Sequence, residues 1–169
     1  MENILAKTLI LAMLTTTLLS ISDRPEFQSN DIPVWNRVYS ELSPPANSRP
    51  GEVISRESIS SKMLVRSEVP YDPLVYGVTV EDSTGKLRIA IGGEVSVIVD
   101  PTSNRICAGD WLVSSGSTGK VISASSDWPV KPVVIGISLD SWSPDDTSGV
   151  IRILLTPGER VTVPEKNKD

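Results

Sequence analysis

Short runs in which apolar and polar residues alternate, separated by clusters of Gly, Pro, Asp and Ser, make up most of the chain beyond residue 50. In "KLRIAI" the apolar residues Leu87, Ile89 and Ile91 alternate with less apolar ones, as expected of a half-exposed strand. Both alternating sets of "LVYGVTV" are largely apolar, as in a central strand covered on both faces. The pattern predicts strands at about residues 52–56, 62–67, 74–81, 86–91, 94–99, 110–114, 120–124, 133–139 and 150–155.

The strand pattern occurs twice. The segment that begins "GEVI" with a turn at Gly51 is answered by "GDWL" with a turn at Gly109, and "GKLRIAI" is answered by "GVIRILL". Gly77 and Gly136 lie inside equivalent strands, where a glycine marks a bulge, a bend at a barrel corner or a close backbone crossing. We expect an all-β fold, either a single compact barrel, closed or nearly closed, or a barrel-like sandwich, with internal pseudo-twofold duplication. Chance similarity between two β-rich stretches is the alternative.

The amino-terminal end has the layout of a secretory leader, because an uncharged run from Thr8 to Ile21 follows Lys7. This predicts a signal peptide over 1–22, with cleavage before Asp23. A retained anchor helix and an ordinary buried helix are the alternatives; an anchor over 3–21 would attach the chain to a membrane, which takes about 20 apolar residues to cross. The first two hypotheses place the body outside the cytoplasm, secreted or at the cell surface.

Residues 23–50 are rich in proline, serine and asparagine, which predicts an extended arm between the apolar helix and the barrel. We expect its apolar cluster, Val34, Trp35, Val38 and Tyr39, to contact another subunit as an added strand at an open sheet edge. A spacer that lifts the domain off a membrane and a cap on the chain's own core are the alternatives. The expected organisation is completed by a duplicated β-domain over 51–163, with halves at about 51–97 and 108–163, and a charged tail over 164–169.

The composition excludes several classes of function. The chain has no histidine, which removes the commonest general base and the commonest zinc ligand, and we expect no cofactor. With 16 basic and 21 acidic residues and a net charge of -5, it lacks the positive surface of a nucleic-acid-binding protein. Cys107 has no partner cysteine and is interpreted as a small buried apolar residue, with a reactive or intermolecular thiol as the alternative.

A serine-lysine protease is the enzymatic alternative, because the "GDWL" turn is similar to turns of membrane-associated and self-cleaving serine proteases. A lysine that acts as a base near neutral pH must be desolvated. Most of the candidates lie beside Ser, Gly or Pro in apparent turns; they are Lys62, Lys86, Lys120 and Lys131. We therefore expect no enzyme, and we expect Glu52 and Asp110 to accept hydrogen bonds from turn amides or a neighbouring strand.

Two features of the second half suggest ligands or contacts. The loop "DSWSPDDTSG" places Asp140, Asp145 and Asp146 close together as weak calcium candidates, but the D-x-D-x-D-G spacing is absent, so a solvated turn is preferred. Three aromatic residues fall in or beside turns, where they would contact a neighbouring subunit or a glycan, or else cap the barrel mouth. They are Trp111, Trp128 and Trp142.

The run "PGE…YDPLVYGV…GEVSVIVD…GDWLVSSGSTGK…VVIGISLDS" over about 50–156 resembles a β-domain of bacterial, archaeal and phage surface proteins, often found near the ends of tail-fibre-like or adhesin-like chains. Val121 and Ser138 depart from the family pattern, which usually has alanine at both positions. The matched positions are Tyr71, Asp72, Pro73, Val75, Gly77, Gly109, Asp110, Leu112, Ser114, Gly119 and Gly136. The resemblance implies a structural or assembly module, often in trimeric fibres, with no agreed catalytic function.

These observations favour an extracellular, non-catalytic protein that assembles with itself, or with other surface or fibre proteins, into a surface filament or fibre. Nucleic acid is not an expected partner. A membrane-anchored accessory subunit of a larger complex or virion is the first alternative, and the serine-lysine (auto)protease is the second.

Overall fold

An antiparallel β-sheet curled into a half-barrel forms the body of the chain in the computed structural model, which describes residues 37–125 and 131–160. These residues belong to one compact unit. They contain nine strands: β1 (Val38–Tyr39), β2 (Val53–Arg56), β3 (Leu64–Arg66), β4 (Val75–Glu81), β5 (Leu87–Ile98), β6 (Trp111–Ser114), β7 (Val121–Ser123), β8 (Val133–Ser138) and β9 (Val150–Arg160).

The predicted strands are confirmed to within a few residues, with three differences. The strands expected at 86–91 and 94–99 form one continuous strand, β5, and β9 extends to Arg160. Strand β1 was not among the predicted strands of the body, because Val38 and Tyr39 were expected to form an added strand on another subunit. The predicted amino-terminal helix and charged tail, together with Val34, Trp35 and Trp128, lie outside the described residues. Among the residues that are described, no helix is long and apolar enough to span a membrane.

The strand order is β3-β2-β4-β5-β9-β8-β6-β7, and β1 pairs with β5 away from this path. Each half of the order repeats the other in reverse, because β2, β3, β4 and β5 correspond to β6, β7, β8 and β9. The pairing registers agree as well: Ile54 faces Gly77 just as Leu112 faces Gly136. Residues that match in sequence therefore occupy matching places in the sheet.

The curl of the sheet brings its two ends near each other around Gly119. Val53 N donates to Gly119 O at 2.8 Å, and Gly119 N donates to Ser67 O at 2.7 Å. Within residues 37–125 and 131–160, however, no strand ladder joins β3 to β7, the two terminal strands of the order. The observed architecture is thus a half-barrel with two distinct ends.

Alternation along β9 shows how the sheet buries its inner face. Ile151, Ile153 and Leu155 are buried, whereas Val150 and Arg152 between and beside them are exposed. The main core consists mostly of β-branched residues from both halves, each of which stabilises the fold by about 1.5–3 kcal/mol when fully buried. Its largest members include Val53, Val78, Ile106, Leu112, Ile135 and Ile153.

Gly77 and Gly136 mark two equivalent places where strands approach too closely for a side chain. A Cβ at Gly77 would collide with the carbonyl oxygen of Ala90, and one at Gly136 with that of Leu154. The pairing register also shifts beside each glycine. Bulges and close backbone crossings, two of the predicted explanations, therefore occur together.

Candidate assembly surface

The two acidic turns have the predicted role. Glu52 is buried and its Oε2 accepts a hydrogen bond from Arg49 N at 2.9 Å, while Asp110 Oδ2 accepts one from Cys107 N at 2.8 Å. Each acid follows a glycine with positive φ, 87° at Gly51 and 92° at Gly109, a conformation that glycine adopts without strain. Both carboxylates therefore act as hydrogen-bond acceptors that stabilise turns.

Four of the seven exposed large apolar side chains of the described residues lie in β3 or in the segments on either side of it, at one end of the sheet. We call these four the β3 rim: Ile59, Met63, Val65 and Val69 are 86%, 63%, 37% and 55% exposed. Single exposed apolar residues are common on proteins, whereas several around one edge strand favour a contact surface. The β3 rim is the candidate functional site.

Strand β3 borders an open groove. The groove has a volume of about 590 Å³, and its lining includes Pro45, Arg56 of β2, and Leu64 and Val65 of β3. Because β3 pairs with β2 alone among the described strands, its second edge is open to an incoming strand.

The opposite end of the sheet is protected. Val99 forms a parallel bridge with Val121 of β7, and Asp100 N donates to Val121 O at 2.9 Å. Strand β7 therefore has backbone partners on both sides, unlike β3. The two halves therefore differ at their terminal strands: among the described residues, the open strand edge belongs to the first half.

Asp100 anchors the loop that protects β7. It is 2% exposed, and its Oδ1 accepts hydrogen bonds from both the amide and the hydroxyl of Thr102, at 2.9 and 2.8 Å. Burial alone would raise the pKa of the Asp100 carboxyl, but hydrogen bonds from Ser117, Thr102 and Ser115 outweigh burial and lower the pKa to about 2. The carboxylate is thus held in its charged form as a structural acceptor.

A buried polar network holds the loop beneath the β3 rim. Asp72 accepts hydrogen bonds from Ser67 Oγ at 3.0 Å and from Leu74 N at 2.8 Å. Asp72 N donates to Ser114 Oγ at 2.7 Å, and this hydroxyl donates to Val69 O at 2.8 Å. The loop that carries Val69 is therefore fixed to the second half before any partner binds, which reduces the entropy lost on association.

Sequence reasoning missed the β3 rim, although a signal was present. When the segments "KMLVRS" and "KVISAS" are aligned, Val65 corresponds to Ser123, so the first half has an apolar residue where the second half has a polar one. Ile59 and Met63 lie in a serine-rich stretch where large apolar residues are unexpected. Comparing the apolar content of the two halves would have found the rim.

The predicted contacts in the arm fall within the chain's own domain where they are described. Strand β1 pairs with β5, with Val38 opposite Gly92 and Tyr39 opposite Ala90. Tyr39 also packs against the main core, while Val38 remains 54% exposed. The end of the arm is an added strand, as predicted, but on the sheet of the same chain.

Trp111 and Trp142, the two second-half tryptophans that the structure describes, are both at least half-buried. Trp142 is 4% exposed, packs in the main core and donates from Nε1 to Ser148 O at 2.8 Å, so it caps the core and offers no surface for contact. Trp111 is half-buried against a small cluster that includes Val113 and Val134. Assembly through Trp142 is therefore wrong, and the capping alternative fits.

The calcium hypothesis receives no support from the described residues. Both carboxylate oxygens of Asp140 are bound by Arg152, with Nη2 to Oδ1 at 2.7 Å and Nε to Oδ2 at 3.1 Å. These hydrogen bonds lower the pKa of Asp140 despite partial burial. Asp146 accepts a separate hydrogen bond from Ser143 N at 2.6 Å. No group of metal-ligating side chains in the described part of the chain is arranged to hold an ion.

Two further expectations concern chemistry. Cys107 is exposed, so its interpretation as a buried apolar residue is wrong: it lies in the turn whose amides bind Asp110, outside the core. The lysines required by the protease hypothesis are not desolvated, because Lys62, Lys86 and Lys131 are exposed and Lys120 is half-buried.

Comparison of the chain with protein-family models, with curated proteins and with solved structures gave no match.

Proposed function

We propose that this chain is an exported, non-catalytic structural protein that assembles with itself into a surface filament or fibre, with the β3 rim as a contact between copies. The observation that carries the proposal is the combination of an unpaired strand edge and four exposed apolar side chains at one end of the sheet. An exposed strand edge presents unpaired N–H and C=O groups that serve as a template for pairing with another chain.

The difference between the two ends of the sheet supports the same proposal. Strand β7 is covered by residues of its own chain at Val99 and Asp100, whereas β3 is bordered by a groove. We propose that the halves derive from one duplicated unit, since matching strands have matching neighbours and registers. A feature present in one half and absent from the other then reflects use rather than a requirement of the fold.

The assembly test replaces Val65 with lysine. Val65 lies at the centre of β3 and is 37% exposed, so Val65→Lys adds a charge to the edge without filling the core. Val150→Lys is the matched control, because Val150 is also an exposed valine on a strand but lies away from the β3 rim. Light scattering after gel filtration and negative-stain microscopy should show assemblies for the wild type and Val150→Lys, and monomers for Val65→Lys.

Two results would overturn the proposal. A wild-type protein that remains monomeric at all concentrations and salt conditions would exclude self-assembly, and would favour the accessory-subunit alternative. Assemblies formed equally by Val65→Lys would exclude the β3 rim as the contact.

Export is tested separately by mass spectrometry of protein recovered from the native source. A mature chain that starts at Asp23 supports a cleaved leader, whereas an intact Met1 supports the membrane anchor.

A further inference from the structure

Strand β5 has a short binding slot on one edge. Strand β4 covers one edge of β5 from Leu87 to Ala90, and β9 covers the other edge from Gly93 onward. The second edge therefore remains open between Ile89 and Gly92. In the structure β1 occupies this interval, and we call the interval the β5 slot.

The β5 slot recognises its strand by both backbone and side chains. Ser40 N donates to Ile89 O at 2.8 Å, and Ser40 Oγ lies 2.8 Å from Tyr76 OH. The Arg88 guanidinium lies 5.1 Å from the centre of the Tyr39 ring, whose other contacts are with the core. These contacts define a site specific for the sequence of β1.

Val38 packs directly against Gly92 of β5. A Cβ placed on Gly92 would lie 3.6 Å from the Val38 Cβ and 3.5 Å from its Cγ2, in ordinary van der Waals contact, so the slot has room for a side chain at this position. One position further along the slot, Arg37 Nε donates to Glu94 O at 2.9 Å. All of these contacts are made with β4 and β5, so the same slot would accept an identical strand from another molecule.

The position of β1 in the chain distinguishes it from its counterpart in the second half. The second part of β5 pairs with β9 much as β1 pairs with the first part of β5. That second part continues directly from the first part of β5, so it cannot leave the sheet by itself. Strand β1 has only two residues, so few backbone hydrogen bonds hold it to β5, and rotation about the residues that follow it would release it.

The segment after β1 has the properties of a hinge. Glu41 and Ser43 are exposed, and Pro44 and Pro45 restrict how the chain turns back toward β2. Beyond them the chain is held to the domain, since Gly51 N donates to Thr79 O of β4 at 2.7 Å. Four residues, 41–44, span about 13 Å when extended, which is enough to reach a molecule in direct contact.

We propose that β1 is exchanged between copies of this chain: in the assembled state, the strand in each β5 slot is donated by a neighbouring molecule. The proposal rests on the proposed function, because it requires self-assembly, and it names the segment that links the copies. Donation in one direction builds an open chain of subunits, whereas mutual donation builds a closed pair.

A disulfide across the slot provides the test. In a Cys107→Ser background, Val38→Cys with Gly92→Cys places two Cβ atoms about 3.6 Å apart, close to the mean of about 3.8 Å in native disulfides. Oxidised assemblies should give dimers or a ladder on a non-reducing gel, and the ladder should collapse to monomers on reduction. The control pair Ile98→Cys with Val150→Cys joins β5 to β9, which cannot exchange, and should give monomers throughout.

Mixing two single variants removes any dependence on the folding of the double variant. Val38→Cys and Gly92→Cys proteins, each with Cys107→Ser, should form a mixed disulfide only if β1 of one molecule enters the slot of another. Strand exchange would be overturned, and self-assembly left intact, if assemblies of the double variant contained intrachain disulfides alone and the mixture of single variants formed no mixed disulfide. A protein that never assembles, as judged by light scattering and microscopy, would overturn both proposals.

Discussion

Replacing Gly136 with alanine tests the close backbone crossing at the centre of the fold. The added Cβ would collide with the Leu154 carbonyl oxygen and would lie 3.1 Å from Leu155 Cα. These are backbone atoms of β9 and cannot rotate away as a side chain would, so β8 and β9 must move apart. Overpacking typically costs about 1–3 kcal/mol, and a backbone collision belongs at the upper end of that range.

The matched control is Gly149→Ala, because a Cβ at Gly149 would have no neighbour within 4 Å. Alanine there reduces the entropy of the unfolded chain and should stabilise the protein by about 0.4–1 kcal/mol. The two variants should therefore differ by about 3 kcal/mol or more, which corresponds to roughly 12 °C in Tm for a domain of this size.

Thermal and urea unfolding, followed by far-ultraviolet circular dichroism, measure this difference. Gly77→Ala, at the equivalent crossing against Ala90, should behave like Gly136→Ala. If Gly136→Ala and Gly149→Ala melted within about 2 °C of each other, the close crossing would be refuted. If Gly136→Ala alone were severe, the crossings would be shown not to be equivalent.

Two further predictions concern the acid limb of stability and the lone thiol. The folded pKa of Asp100, about 2, lies below the unfolded value of about 3.9. The Asp100 carboxylate therefore stabilises the folded state by roughly 2 kcal/mol at pH values above its unfolded pKa, and this stabilisation is lost as the pH falls from about 4 to 2. Urea midpoints measured from pH 7 to pH 2.5 should show this loss, and Asp100→Asn should be destabilised at pH 7 and show a flatter profile; a parallel profile would refute it. Cys107 should react with a thiol reagent in native buffer as completely as in urea, and protection in the native protein would contradict its exposure.

The strands were predictable because their signals are local. Alternation in "VIRILL" places successive residues on opposite faces, and the structure buries one set and leaves the other exposed or half-buried. In "KLRIAI" the strand was predicted but its exposed face was not, because Ala90 is buried and Leu87 and Ile91 are half-buried. The equivalent glycines in β4 and β8 were also visible, since a glycine inside a β-branched run needs a structural reason. These features depend on a few neighbouring residues and on the match between the halves.

The edges were not predictable in the same way, because they depend on which distant segments meet. Strand β1 has two residues in a proline-rich stretch, too few to show a period of two. In "KMLVRS" three apolar residues are consecutive, so the sequence does not say which of them faces the core. The structure leaves Met63 and Val65 exposed and half-buries Leu64 between them.

The two halves share the acidic turns, the glycines at the crossings and the strand registers, and folding explains these features. The open edge of β3 belongs to the first half alone among the described strands, and β1 precedes that half. In the assembly that we propose, the β3 edge accepts a neighbouring copy and β1 is donated to another. A subunit with two such non-identical contact sites meets the requirement for a heterologous assembly that continues without closing.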